Sequence, residues 1–219
     1  MKYIFLFSLM LIGNTWLCAQ EDAKSTMTVI VNDKEYKTEP RRIRIGSYGY
    51  ITGNAIGPDK CLRIWLAAYD GTDIKESGTY LIVDAYHPDT EENISKAYAT
   101  GKYKGLATVK YVEETKTPRM EYHVGMSENN GESVEVIMGN DGWTEFTFNC
   151  SLTGSYWKEK TMTTAFGGMG RIVDKLENKA VTGATGFEQD IDPEGNGYKK
   201  QKETDTIVLK DGKVRMKLK

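Results

Sequence analysis

Cys61-Leu-Arg-Ile-Trp-Leu-Ala-Ala-Tyr69 and, ten residues on, Thr79-Tyr-Leu-Ile-Val-Asp-Ala-Tyr86 are the segments whose reading decides the fold. Side chains of an extended strand alternate between faces, so Leu62, Ile64, Leu66 and Ala68 make a wholly apolar face. Cys61, Arg63, Trp65, Ala67 and Tyr69 make a mixed one. The second segment divides likewise, with Thr79, Leu81, Val83 and Ala85 on one side and Tyr80, Ile82, Asp84 and Tyr86 on the other. Asp70-Gly-Thr-Asp73 and Ser77-Gly78 between them supply turn chemistry. The expectation is an antiparallel hairpin with Leu66 opposite Leu81, Ile64 opposite Val83, Trp65 opposite Ile82 and Arg63 opposite Asp84.

Outward from this core, the chain opens with Lys2 and an apolar run from Tyr3 to Ile12, too short for a mature membrane span. Leu17-Cys-Ala19 precedes Gln20, so residues 1–19 read as a cleaved signal peptide. Lipidation of Cys18 is the competing reading, to which the bulky Leu17 fits poorly. No later run is long enough to cross a membrane as a helix. The exported chain, in the periplasm, outer envelope or extracellular space, is then a single domain over 20–219. With 29 Lys and Arg against 31 Asp and Glu, the total charge gives no case for nucleic acid. After processing two cysteines remain, Cys61 and Cys150. A bridge between them would close a loop of about 90 residues and contribute about 4 to 5 kcal/mol; two buried thiols are the equal alternative.

Further strands follow from the same patterning. Thr26–Val31 and Glu35–Thr38 flank Asn32-Asp-Lys34 as a short hairpin. Ile43 to Ile56 reads as a strand bent at Gly46, Gly49 and Gly53, with Arg41, Arg42 and Arg44 as a solvated basic edge. Residues 87–93 read as a loop and Ile94–Tyr103 as a weak strand. Ala107, Val109 and Tyr111 are expected opposite Val124, Tyr122 and Met120, placing Thr108 beside His123. Val134–Met138 turns through Gly139-Asn-Asp-Gly142 into the clearest alternation, where Phe146, Phe148, Cys150 and Leu152 point inward. The pattern loosens after Tyr156, with a turn or two of helix over 171–177. The chain closes in a hairpin around Asp211-Gly212 that sets Ile207 and Leu209 against Met216 and Val214. About ten strands with little helical periodicity predict an all-β fold, a single antiparallel β-sandwich or irregular barrel.

The chemistry-bearing residues are sparse. His87 and His123 have no nucleophile in a recognisable setting, and Gly167-Gly-Met-Gly170 lacks the lysine of a phosphate loop. Asp190, Asp192, Glu194 and Asn196 place oxygen donors at alternate positions, the layout of a calcium loop. Pro193 and the long Glu194 depart from that layout, and an ion-free acidic loop is the plain alternative. Trp143, Tyr156, Trp157 and Trp65 are the candidate ligand-binding aromatics, since exposed rings flanked by polar groups stack on sugars or anchor proteins. The same rings, buried, are core, the reading favoured for Trp65. The basic segment Lys199–Lys219 suits an anionic polysaccharide or lipid head group, or is simply the wet face of a hairpin.

The signal end Ala19-Gln20, the strand Val29-Ile-Val-Asn32 and the start Ser77-Gly-Thr-Tyr80 resemble uncharacterised secreted or lipid-anchored β-sandwich proteins of Bacteroidota. The resemblance implies an envelope location and an antiparallel fold, and brings no catalytic residue. The expected function is a non-enzymatic binding domain for a glycan or an envelope protein. A polysaccharide hydrolase and a purely structural component are the alternatives.

Overall fold

The computed structural model describes residues 24–45, 48–54, 60–117, 119–160, 193 and 198–218. The expected signal peptide, the four calcium-loop donors Asp190, Asp192, Glu194 and Asn196, and the helix expected over 171–177 lie outside them. Among the described residues eleven strands and one helix follow in order. They are β1 (Thr26–Val31), β2 (Lys34–Thr38), β3 (Arg41–Ile45), β4 (Tyr48–Asn54), β5 (Lys60–Ala68) and β6 (Gly78–Ile82). After them come α1 (Glu91–Thr100), β7 (Gly105–Thr117), β8 (Arg119–Ser127), β9 (Ser133–Met138), β10 (Trp143–Glu159) and β11 (Tyr198–Lys217). The fold is all-β. All strands belong to one mixed sheet in the order β2-β1-β11-β10-β9-β6-β7-β5-β4-β3, with β8 bridging β7 and β10. The expected all-β sandwich or irregular barrel takes the form of one mixed sheet that closes a ring through β6, β7, β8, β10 and β9 without being a clean barrel: Met27, Tyr36, Leu62, Tyr111, Phe146 and Leu209 gather in a single core, and Tyr36 of β2 meets Tyr111 of β7 edge-on at 6.3 Å.

The hairpin expected between β5 and β6 does not form. β7 lies between them, antiparallel to β5 (Leu66 opposite Ala107, Ile64 opposite Val109) and parallel to β6 (Leu81 opposite Leu106). Parallel neighbours need a crossover, and residues 83–104 provide it as α1. A helix therefore stands where the weak strand over Ile94–Tyr103 was expected. Thr90 caps its start by accepting from the Asn93 N–H at 3.3 Å, and Gly101 ends it at φ +62°. The helix lays Ile94 and Ala97 over Trp65, Ala67, Leu81 and Leu106, so the mixed face of β5 is covered. Gly105 makes the insertion sterically feasible, because a Cβ there would stand 2.0 Å from the Ala67 carbonyl oxygen.

The sheet forks between β7 and β10. Their facing edges are bridged at one end by two strands, β6 and β9, and at the other by β8 alone. At the fork the ladders break, and side chains replace them. The Ser127 hydroxyl accepts from the Val109 N–H and donates to the Val83 carbonyl, both at 2.9 Å and buried. The Glu132 carboxylate accepts the Ser151 N–H at 2.9 and 3.1 Å.

β11 is one twenty-residue strand rather than a terminal hairpin. Its Asp211, at φ +52°, forms a bulge: Gly212 faces Phe148 and Leu209 faces Cys150, leaving two residues of β11 against Asn149. The bulge switches parity, which is why Ile207, Leu209, Val214 and Met216 all enter the same core. The β1–β2 hairpin forms as expected, turning at Asn32 (φ +45°) and Asp33 (φ +64°). Where one bent strand over Ile43–Ile56 was expected, β3 and β4 are two strands paired antiparallel, and Arg42 pairs with Asp73 at 2.8 Å. β7 and β8 do pair, with a register five residues away from the expected one, so His123 stands opposite Glu113 and not beside Thr108. Because five is odd, the face assignment of β8 inverts. Cys150 lies in the inner core, whereas Cys61 lies on the opposite face of β5 from the core residue Leu62; no disulfide joins these two buried thiols.

Candidate functional site

Among the described residues, two clefts lie against the forked sheet. The larger, about 390 Å³, opens on the outer face and is lined by Tyr86, Asp84, Glu128, Asn129, Thr153 and Lys200, among others. The segment that supplies Tyr86 is rigidly held. After β6 the Ala85 N–H donates to the Ser127 carbonyl at 3.0 Å, and the Tyr86 N–H donates to the Asp84 carboxylate at 2.8 Å. Asn93 at the head of α1, 2 % exposed, donates to the His87 carbonyl at 2.7 Å and accepts from the Asn129 amide at 2.6 Å. The loops on both sides of the cleft are thereby tied to one helix terminus. Tyr86 is 42 % exposed, and the Lys200 ammonium lies 5.7 Å from its ring centroid. An accessible ring stands beside carboxylates, amides and an ammonium, so the cleft can both donate and accept hydrogen bonds next to a stacking surface.

The second cleft, about 280 Å³, lies at the mouth of the inner core between the β1–β2 hairpin and Lys60, Tyr111 and Glu113. A polar row adjoins it. Glu113 accepts from Lys60 at 2.9 Å and from the Tyr111 hydroxyl at 3.0 Å. Its ladder partner His123 meets Asp205 at 2.8 Å, and the Tyr156 hydroxyl donates to the other Asp205 oxygen at 2.9 Å. The His123 and Tyr156 rings stack at 4.5 Å. Gly154 makes room, since a Cβ there would come within 2.0 Å of Asp205. Partial burial works against ionisation of Asp205 and Glu113, but their hydrogen bonds outweigh it and hold both carboxyls below the usual range. The bond to Asp205 in turn raises the Tyr156 phenol. The row's residues are thus joined to one another across β5, β7, β8, β10 and β11.

The four sequence candidates are dispersed. Trp65 is 6 % exposed beneath α1, and Trp157 is 8 % exposed against Tyr122, Val124 and Met126. Neither presents a ring to solvent. Tyr156 belongs to the polar row, and Trp143 sits at the far end of β10 under Arg215, whose guanidinium is 4.4 Å from its ring centroid. Among the described residues no group of three or more His, Cys, Asp or Glu side chains is arranged to hold a metal, and no helix is long and apolar enough to cross a membrane. Alternation places Tyr86 on the mixed face, and the Asp84-Ala-Tyr86-His-Pro88 turn signal marks where the strand ends and the ring can emerge. Lys200 and Thr153 enter the cleft through pairings remote in sequence, which no local pattern announces. No family model, curated protein or solved structure matches the chain.

Proposed function

We propose that the chain is an exported, non-enzymatic binding domain that takes a sugar unit of a glycan in the Tyr86 cleft. The observation that carries this reading is the exposed Tyr86 ring on the wall of a cleft of about 390 Å³ whose other groups include Asp84, Asn129 and Lys200. A pyranose has an apolar C–H face and a rim of hydroxyls, each both donor and acceptor. A tyrosine ring matches the face, and mixed amide, carboxylate and ammonium groups match the rim. The volume suits a small ligand rather than a protein surface. The signal-like N-terminus supports a location where such glycans occur.

The test is a glycan-array screen of the chain from Gln20 onward beside its Tyr86→Ala variant. Specific glycans should be retained by the parent and lost at least about tenfold by the variant, as expected for removal of a stacking ring, with an unchanged melting midpoint. An array silent for the parent, or equal signals from both proteins, would overturn the reading.

A further inference from the structure

The Tyr86 cleft is one end of a longer surface. Odd-numbered residues of β10 from Trp143 to Thr153 face outward, opposite the even-numbered core residues Phe146, Phe148, Cys150 and Leu152, whereas Ser155 and Trp157 beyond them are buried. Thr153 of the cleft and Trp143 therefore share a face, ten residues and roughly 30 Å apart at the rise of an extended strand. β11 runs beside β10 along this whole length. Its ladder positions place Lys200 opposite Trp157, Thr206 opposite Thr153, Lys213 opposite Thr147, Arg215 opposite Glu145 and Lys217 opposite Trp143. The parity switch at the Asp211 bulge keeps the outward set outward on both sides of it.

The track is cationic toward its ends and neutral between them: Thr147 of β10 lies beside Lys213, whereas Ser151 and Thr153 face Val208 and Thr206 before Lys200 follows opposite Trp157. The cleft end also carries the carboxylates Asp84 and Glu128. Glu145 is the acid that β10 adds, held by Arg215 at 3.3 Å and Lys213 at 3.8 Å. At the far end Trp143 lies beneath Arg215 and within 5.3 Å of the Lys217 ammonium. The two ends repeat one motif, an aromatic ring with a cation over it: Tyr86 with Lys200, and Trp143 with Arg215 and Lys217. Successive outward cations on a strand stand about 6.6 Å apart, a spacing an extended chain of acidic sugars can follow.

Resting on the sugar-binding reading of the cleft, we infer that the ligand is a linear acidic polysaccharide that runs along the outer face of the β10–β11 ladder from Tyr86 to Trp143. Its recognition has two parts: rings stack at the ends, and the β11 cations beside them meet carboxylate or sulfate groups. Affinity for the polymer then depends on length and falls with salt, because each exposed cation contributes through released counterions.

The experiment uses polygalacturonate, dextran sulfate, neutral dextran, digalacturonate and anionic phospholipid vesicles as probes. They are tested against the parent chain, Tyr86→Ala, and the double variant Lys213→Glu/Lys217→Glu. An acidic polymer should bind and neutral dextran should not. The double variant should weaken the polymer about tenfold and flatten its salt dependence, while leaving digalacturonate binding and the melting midpoint as in the parent. Whichever acidic polymer binds more tightly distinguishes a carboxylated from a sulfated ligand. Unchanged polymer affinity in the double variant overturns the track and leaves the cleft reading standing. Loss of all glycan binding from the parent overturns the cleft. Vesicle binding without polymer binding overturns both in favour of a membrane surface.

Discussion

Ser127 is the residue on which the fork in the sheet depends most directly. One hydroxyl satisfies the Val109 N–H of β7 and the carbonyl of Val83, just beyond the end of β6. Ser127→Ala removes both bonds at once and leaves Val109 and Val83 unsatisfied. Urea unfolding should register a loss of about 1 to 3 kcal/mol; a loss below a few tenths would mean that the backbone closes the gap unaided. Nothing in the sequence singles Ser127 out, because the value of its hydroxyl comes from three segments remote from one another. Phe146, Phe148, Cys150 and Leu152 were legible by contrast, since alternation alone fixes which way they point.

At the scale of elements, two misread segments share a cause. Gly101, at φ +62°, closes α1, and Thr90-Glu91-Glu92-Asn93 is a helix start in plain view. Both signals are local, yet the aromatic and β-branched residues between them also suit a strand. Tertiary packing decides for helix, because only a crossover lets β6 and β7 run parallel while covering Trp65. Gly101→Ala should therefore cost about 1 kcal/mol, through the left-handed backbone it must adopt, with helix content retained by circular dichroism. Equal stability would show that the cap is not needed. Asp211-Gly212 carries the same ambiguity: a dipeptide suited to positive φ accompanies a switch in apolar parity, and both a tight turn and a bulge satisfy it. Long-range pairing with Asn149, whose side chain accepts the Asp211 N–H at 2.8 Å, selects the bulge. Asp211→Val, a β-branched residue at φ +52°, should destabilise by about 1 to 2 kcal/mol; an unchanged unfolding midpoint would contradict a strained bulge.

For the whole molecule, the polar row at the core mouth predicts how stability responds to acid. Five strands meet there, β5, β7, β8, β10 and β11, through Lys60, Glu113, His123, Tyr156 and Asp205. The folded-state carboxyls of Asp205 and Glu113 titrate below their ordinary values. Unfolding in acid therefore takes up protons, and the stabilisation they provide is complete above the unfolded carboxylate range, near pH 4. It is lost as pH falls through the depressed folded values. Glu132 acts in the opposite sense, since burial raises its carboxyl despite the bonds from Ser151, and its contribution declines as pH rises. Urea titrations at pH 7, 4 and 3 should show the parent losing stability more steeply with acid than Asp205→Asn or Glu113→Gln. The variants should be weaker at pH 7 and converge toward the parent at pH 3. Parallel losses in all three proteins would place the acid sensitivity elsewhere. Convergence would establish that these carboxylates carry the acid sensitivity, through the bonds by which the row joins β7–β8 to β10–β11.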